Sequence, residues 1–285
     1  MVSSVGHVCR RVRGVSLLEQ SLLREHTEYS QAMPLPASKT AEETLFHRFN
    51  QHFRTVLADT PDLIRWAQEI RYQVYCIENQ FENPDDHPGE REKDKFDAHS
   101  VHSLLIHQST GQPIGTVRLV LPRRDALEDS FAIQQVTEPS ALKAPLIPIQ
   151  TTAEVSRFSI PKQFRPCRAE TPHGAEDLSL LIPNNSVELR AGPLMSLGLI
   201  QTLVSMSAQH GITHWCALME PKLLRMLAAM AIHFEPIGAP VEYHGLRHPC
   251  YCHVGTVLDR VKRERPTFWQ ILTGAGTFGG YTLAA

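Results

Sequence analysis

The sequence predicts an α/β fold, a mixed central sheet flanked by helices in one main domain. Three observations carry this reading. Alternating apolar stretches and helix-period stretches interleave along 285 residues, a length that supports a sizeable core. The early strands are joined by a tight turn and the later ones by helices, so antiparallel and parallel pairings both arise. Composition is that of a globular protein, with 42% apolar and 20% charged residues.

Residues 1–38 read as an N-terminal extension, because Arg10, Arg11 and Arg13 precede an apolar run too short for a signal-peptide core. The domain is expected over 39–275, with an insertion at about 162–186 and a tail at 276–285. Leu45, Phe46, Phe49, Phe53 and Val56 open its folded part. Asp59-Thr60-Pro61 supplies a capping side chain and a proline at the first helical position. Leu63, Ile64, Ala67, Ile70, Val74 and Tyr75 then follow at helical spacing to about Cys76. Residues 82–97, with seven acidic and three basic side chains plus Pro84, Pro88 and Gly89, read as a loop.

Residues 99–107 and 114–121 form a hairpin across a turn containing Gly111. An irregular stretch at 122–150 holds a short helix around 131–136. Residues 151–160 alternate as a strand. Glu154, Ser156 and Phe158 would then share one face, and Val155, Arg157 and Ser159 the other. A polar, proline-containing segment leads to a long apolar helix over 187–210, which Gly211 ends. A buried strand at 213–219, a helix at 221–232, strands at 234–244 and 248–257, a helix near 257–265 and a tail after Pro266 complete the chain.

Several function classes drop out. A net charge of −2 provides no electrostatic footprint for nucleic acid. No apolar run is long enough for a transmembrane helix. Six scattered cysteines fit a reducing cytoplasm. Cys250 and Cys252, flanked by His248 and His253, invite a metal reading, but their spacing is not CxxC and no second cluster matches it. They read as alternating strand residues, and no metal is expected. Neither a dinucleotide or P-loop glycine pattern nor a G-x-S-x-G elbow is present.

What remains is a set of charges in apolar surroundings. Arg71 lies in the first helix, Arg118 in the second hairpin strand, and Glu154 and Arg157 in the strand after the irregular stretch. Buried charges are costly unless paired, so neighbours or a ligand must satisfy them. A structural ion-pair network and a reaction site both remain open on this count.

The order of four clusters narrows the choice. Arg71-x3-Tyr75-x5-Phe81, Glu92-x-Asp94-x2-Asp97, Gly115-x2-Arg118-Leu119 and Glu154-x2-Arg157-Phe158 resemble the autoinducer (acyl-homoserine-lactone) synthases, a branch of the GNAT acyltransferase fold. The chain more closely resembles a sister group, the acyltransferases of the PEP-CTERM/exosortase system, akin to N-acyl amino acid synthases. Residues 71–76, Phe81-Glu82, 99–102, 115–122, Met219-Glu220-Pro221 and 241–249 carry that likeness, which runs over most of 43–273. Phe81 stands where the homoserine-lactone synthases carry tryptophan, which departs from the S-adenosylmethionine pattern. Gly192 and Gly198 lie near the start of the long helix without the spacing of a pyrophosphate loop. This favours a carrier-protein thioester over coenzyme A.

The resemblance implies a GNAT-like fold and transfer of a fatty acyl group to the amine of a small molecule, an amino acid. The donor would be an acyl-carrier-protein thioester or acyl-CoA, with no bound cofactor. It assigns catalysis to Glu154 as general base, with Arg157 and Arg118 holding it and the acceptor's carboxylate. Substrate contacts fall to Arg71, Tyr75, Phe81, Glu92, Asp94, Asp97, Ser156 and Phe158, with Asp94 and Asp97 orienting the ammonium or locking Arg71 and Arg118 in place. A thioester is already activated, so no covalent enzyme intermediate is needed, and Cys76 reads as an inert helix cysteine. Lys162, Arg165 and Arg168 offer a basic contact for an acidic carrier protein. Two alternatives stand: a homoserine-lactone synthase using S-adenosylmethionine, and a non-catalytic acyl-binding module.

Overall fold

The computed structural model describes residues 41–138, 142, 147–165 and 192–277. The extension at 1–38, most of the expected insertion, Arg168, residues 187–191, where the long helix was expected to begin, and 278–285 lie outside the described residues.

The apolar 41–57 stretch divides in two. Helix α1 (Ala41–His52) runs directly into strand β1 (Phe53–Leu57). Helix α2 (Pro61–Tyr72) begins as its sequence dictates: the Thr60 hydroxyl accepts from the Leu63 N–H, and Pro61 occupies the first turn. It does not continue as an α-helix to Cys76. A π-helical turn (Gln73–Glu78) follows, a form that recurs at functional sites.

Strands β2 (Ser100–His107) and β3 (Pro113–Val120) form the expected hairpin, followed by the short helix α3 (Ile133–Val136) and strand β4 (Thr152–Ser159). Helix α4 (Gly192–His210) then leads to β5 (His214–Met219) and helix α5 (Pro221–Ala229). The two strands expected beyond it are three: β6 (Glu235–Pro236), β7 (Val241–Glu242) and β8 (Leu246–His253). Helix α6 (Val254–Glu264) starts earlier than its pattern indicated, because the His253 side chain caps it by accepting from the Thr256 N–H. Pro266 opens a further helix, α7 (Pro266–Thr273), where a tail was expected; proline at a first helical position initiates rather than interrupts.

Among the described residues, eight strands form a sheet in the order β1-β2-β3-β4-β5-β8-β6, with β7 paired to β8. Neighbours are antiparallel except β4 and β5, which run parallel and pair over Thr152–Glu154 with His214–Cys216. Glu154 therefore sits where that pairing ends. Beyond it, β4 continues beside β3 alone while β5 continues beside β8.

The two faces of the sheet carry different loads. One face, with Leu105, Val117, Leu119, Val155, Trp215 and Ala217, packs under α4, α6 and α7 in the main core. On the other, α2 covers Val56, Leu104 and Ile106, and residues Phe131, Ile133 and Ile147 cover Val120 and Cys216. Register places His102, Arg118, Ser156, Glu154 and Cys216 along this second face. Cys250 and Cys252 are buried strand residues in the main core.

Gly198 shows how tightly α4 lies on the sheet. A Cβ there would stand 2.7 Å from Leu105 Cδ1 and 3.2 Å from Phe49 Cζ, so the glycine serves helix–sheet packing. Gly198→Val should destabilise the fold by about 2 kcal/mol, since overpacking outweighs the helix propensity regained. Denaturant melts would check this, and an unchanged midpoint would refute the close approach.

Candidate active site

Three arginines from three elements meet three carboxylates from one loop. Arg71 Nε donates to Glu92 Oε2 at 2.5 Å, and its two terminal nitrogens grip both oxygens of Asp97 at 2.6 and 3.0 Å. Arg118 grips both oxygens of Asp94 at 2.5 and 2.9 Å and reaches Asp97 at 3.0 Å. Arg157 bonds Glu92 at 2.9 Å and Asp94 at 2.9 Å. Arg71 and Glu92 are wholly buried, and Asp94 is 22% exposed at its side chain. Three positive and three negative charges cancel within this lattice, and the planar guanidinium fork suits such two-point contacts.

The loop's local structure prepares it for this role. Asp94 caps a short 3-10 turn, accepting from Phe96 N–H, while Asp97 accepts from Asp94 N–H. Each aspartate thus holds the turn and an arginine together. Glu92 N–H donates to Gln68 O, fastening the loop to α2.

Strict alternation along β4 fails at Arg157. This residue has φ +51°, and the β3–β4 register shifts between Thr116 and Arg118. A bulge re-aims a side chain in this way. It brings Arg157 to the acidic loop, beside Arg118 and Ser156, instead of the opposite face. Phe158 moves the other way and packs against the main core. Ser156 Oγ accepts from Arg118 Nε at 2.9 Å.

Glu154 does not join the lattice as the resemblance implied. Arg118 and Arg157 hold the loop carboxylates, while Glu154 Oε2 accepts the Ile133 N–H at 2.9 Å. The carboxyl is buried, 3% exposed, with the apolar α3 cluster on its face of the sheet. The two environments push these acids apart. Burial raises Glu92, but Arg71 and Arg157 outweigh it and lower the carboxyl to about 2. Asp94 and Asp97 likewise end below the usual range, because arginine contacts overcome burial. Burial dominates at Glu154, against the Ile133 N–H, and lifts it to about 7.

Tyr75 lies on the π-helical turn with the Arg157 guanidinium over its ring at 4.6 Å. Phe81 meets Tyr75 edge-on at 5.9 Å, and its N–H donates to Tyr75 O at 2.8 Å, closing the turn. A surface cavity of about 430 Å³, lined by residues between Cys76 and Pro84, opens here. Burial pushes the Cys76 thiol up to about 11, so it is protonated at neutral pH. Lys162 Nζ donates to Glu78 O at 2.7 Å, and Arg165 Nε donates to Ile160 O at 2.6 Å. Both side chains hold the β4 exit against the π-helical turn while remaining exposed.

Sequence reasoning gave no site role to His102, Glu82, His244 or Arg247. His102 lies opposite Arg118 in the β2–β3 pair with Nε2 3.4 Å from Asp97 and a buried, unpartnered Nδ1. Burial and then the Arg71 charge lower it to about 4, leaving it neutral at neutral pH. Its spacing of two from Leu104 on one strand face was the available signal. Among the described residues, no group of three or more His, Cys, Asp or Glu is placed to hold a metal ion.

Comparison with known proteins follows the same lines. Residues 70–171 match the family described as acetyltransferase (GNAT) domain. That span contains all six lattice residues and Glu154. TofI, solved in a ternary complex with an inhibitor and MTA, is 19% identical with a TM-score of 0.50; the match covers 75% of this chain and 99% of that one. The fold is that of a GNAT acyltransferase. Two further solved structures that match are FeeM, an N-acyl amino acid synthase from uncultured soil microbes, and the AHL synthase LasI. FeeM is 14% identical, TM-score 0.47, over 73% of this chain and 93% of its own. LasI is 18% identical, TM-score 0.45, over 70% and 88%. None of the curated proteins matches by sequence. The domain match marks the chain as an acyltransferase. No helix among the described residues is long and apolar enough to cross a membrane.

Two outcomes test this geometry. Arg71→Met should cost about 3–5 kcal/mol in denaturant melts, because Glu92 and Asp97 lose their main partner in a buried setting; a loss below 1 kcal/mol would refute a coupled lattice. For Glu154 the sign is opposite to that of the loop acids. Its folded carboxyl titrates near 7 and an unfolded one near 4.5, so its ionisation removes stability as pH rises through that window. Glu154→Gln should therefore gain stability relative to the native chain between pH 5 and 8, by at most about 3 kcal/mol. A gap that does not change with pH would show that the carboxyl is not raised.

Proposed function

We propose that this chain is an N-acyltransferase that moves a fatty acyl group from an acyl-carrier-protein thioester to the amine of an amino acid. The observation that carries the reading is the separation of the carboxylates. Glu92, Asp94 and Asp97 are committed to arginines that hold them below the usual carboxylate range, whereas Glu154 is buried, accepts one backbone N–H and titrates near neutrality. A general base works best with its pKa near the operating pH, and pairs of acids driven apart mark acid–base roles.

In this reading Glu154 takes the acceptor's ammonium proton, directly or through one water. The freed amine nitrogen bonds to the thioester carbonyl carbon, whose oxygen takes the negative charge. Collapse of that intermediate breaks the C–S bond, and the departing thiolate of the carrier's phosphopantetheine takes a proton. Glu82, less buried than Glu92 and Glu154 and held only by longer contacts to Arg157 and His244, offers negative charge to the incoming ammonium. Arg118 and Arg157 keep the loop in place through their bonds to Glu92, Asp94 and Ser156, and their remaining N–H groups are left for the acceptor's carboxylate.

The carrier as donor is favoured by Gly198, which is used for packing and not for cradling a pyrophosphate. Acyl-CoA remains the other donor of the same chemistry. Exposed Lys162 and Arg165 present positive charge to an acidic carrier beside the π-helical turn. The resemblance to PEP-CTERM/exosortase-system acyltransferases and the phenylalanine at position 81 favour an amino acid over S-adenosylmethionine as acceptor.

Mass spectrometry of lipid extracts from cells producing the intact chain, beside cells producing Glu154→Gln, tests this. A new N-acyl amino acid should appear only with the intact chain. An acyl-homoserine lactone would replace the acceptor assignment. Equal product from Glu154→Gln would remove the base assignment, and co-purified lipid without any product would favour an acyl-binding module.

A further inference from the structure

We propose that His244, on the turn between β7 and β8, is a positioning residue for amine-acceptor recognition. The inference rests on the N-acyltransferase reading and extends it to a part of the chain far from the acidic loop in sequence.

Its backbone is held in an unfavourable conformation. His244 has φ +54°, followed by Gly245 at φ +89°. A left-handed histidine is uncommon, and such strain persists only where surrounding contacts over-determine it. Those contacts are present. Arg247 donates to Tyr243 O at 3.1 Å and to His244 O at 2.6 Å, and the Tyr243 N–H donates to Gly245 O at 3.0 Å. Arg247 is itself anchored by Glu220 at 2.6 Å, at the end of β5.

The imidazole so held completes a wall. It stacks on Tyr243 at 4.7 Å and 11°, and on Phe81 at 5.7 Å and 18°, with an edge toward Tyr75 at 6.2 Å. Arg247 lies over the Phe81 ring at 5.5 Å. His244 Nε2 stands 3.5 Å from Glu82 Oε1, and that same oxygen is 3.8 Å from Arg157. Phe81 and Glu82 both line the cavity beside the π-helical turn. Among the described residues, three of the six left-handed non-glycine residues, Gln80, Arg157 and His244, fall on this one cluster. His244 thereby fixes the ring and the carboxylate that face the cavity, and acts on the acceptor through them.

The test uses the full chain, an acyl carrier protein loaded with a fatty acyl thioester, and a mixture of the standard amino acids, with N-acyl products read by mass spectrometry. His244→Asn tolerates the left-handed backbone but lacks the ring. It should raise the KM for the amino-acid mixture about tenfold, with smaller changes in kcat and in the donor KM. His244→Phe restores the stacked ring and should bring that KM back to within about threefold of the native value. The melting temperature of His244→Asn should stay within about 3 °C. A large drop in melting temperature with an unmoved acceptor KM would overturn the proposal in favour of a purely structural turn. Equal acceptor KM in all three chains would overturn it too. No amino-acid product from the native chain would instead overturn the functional reading, and the inference with it.

Discussion

The buried lattice of Arg71, Arg118 and Arg157 with Glu92, Asp94 and Asp97 is the constraint on which the rest of the site depends. The arginines come from α2, β3 and β4, and all three carboxylates come from one loop between α2 and β2. A loop has few backbone pairings of its own and would otherwise lie loosely on the sheet. Here it is fastened by paired two-point contacts in a low-dielectric setting. Net stabilisation from such a set is small relative to an apolar core, but loss of one member strands the others without compensation. The lattice is therefore better understood as an orienting device than as a source of stability.

Its second effect is on acidity. Glu92, Asp94 and Asp97 are driven down by the arginines they meet, and the guanidinium charge is spent within the loop. Glu154, one strand away on the same face, keeps only a backbone N–H and a cover of apolar side chains. Burial then governs its titration. Geometry alone thus drives apart the titration of side chains of nearly identical intrinsic strength. The parting of β4 from β5 immediately after Glu154 adds to this, since the strand has no β5 partner beyond that residue.

A third element is the meeting of the π-helical turn with the β7–β8 turn. Tyr75 and Phe81 come from one, Tyr243 and His244 from the other, and Arg157 and Arg247 lie over their rings. The two turns are more than 160 residues apart in the chain. Strained backbones at Gln80, Arg157 and His244 accumulate where they meet. Such conformations persist when packing over-determines them, and they cluster at ligand sites more than elsewhere.

Much of this was legible in the residues themselves. Thr60-Pro61 started α2, the glycine-containing turn joined β2 to β3, and Gly211 ended α4, because each is a local conformational requirement. The Glu92-x-Asp94-x2-Asp97 stretch read only as a charged loop, and it was the family resemblance that singled it out; the capping turn at Asp94 appeared only in the fold. Tertiary structure alone decided the rest. Strand alternation assigned Arg157 and Phe158 to the wrong faces, because a bulge is set by the partner strand and not by the residues that bulge. Nothing in the local sequence told which acids would meet arginines and which would be left to an apolar cover. That depends on long-range packing, and packing decides how burial and charge divide the titration of chemically similar groups.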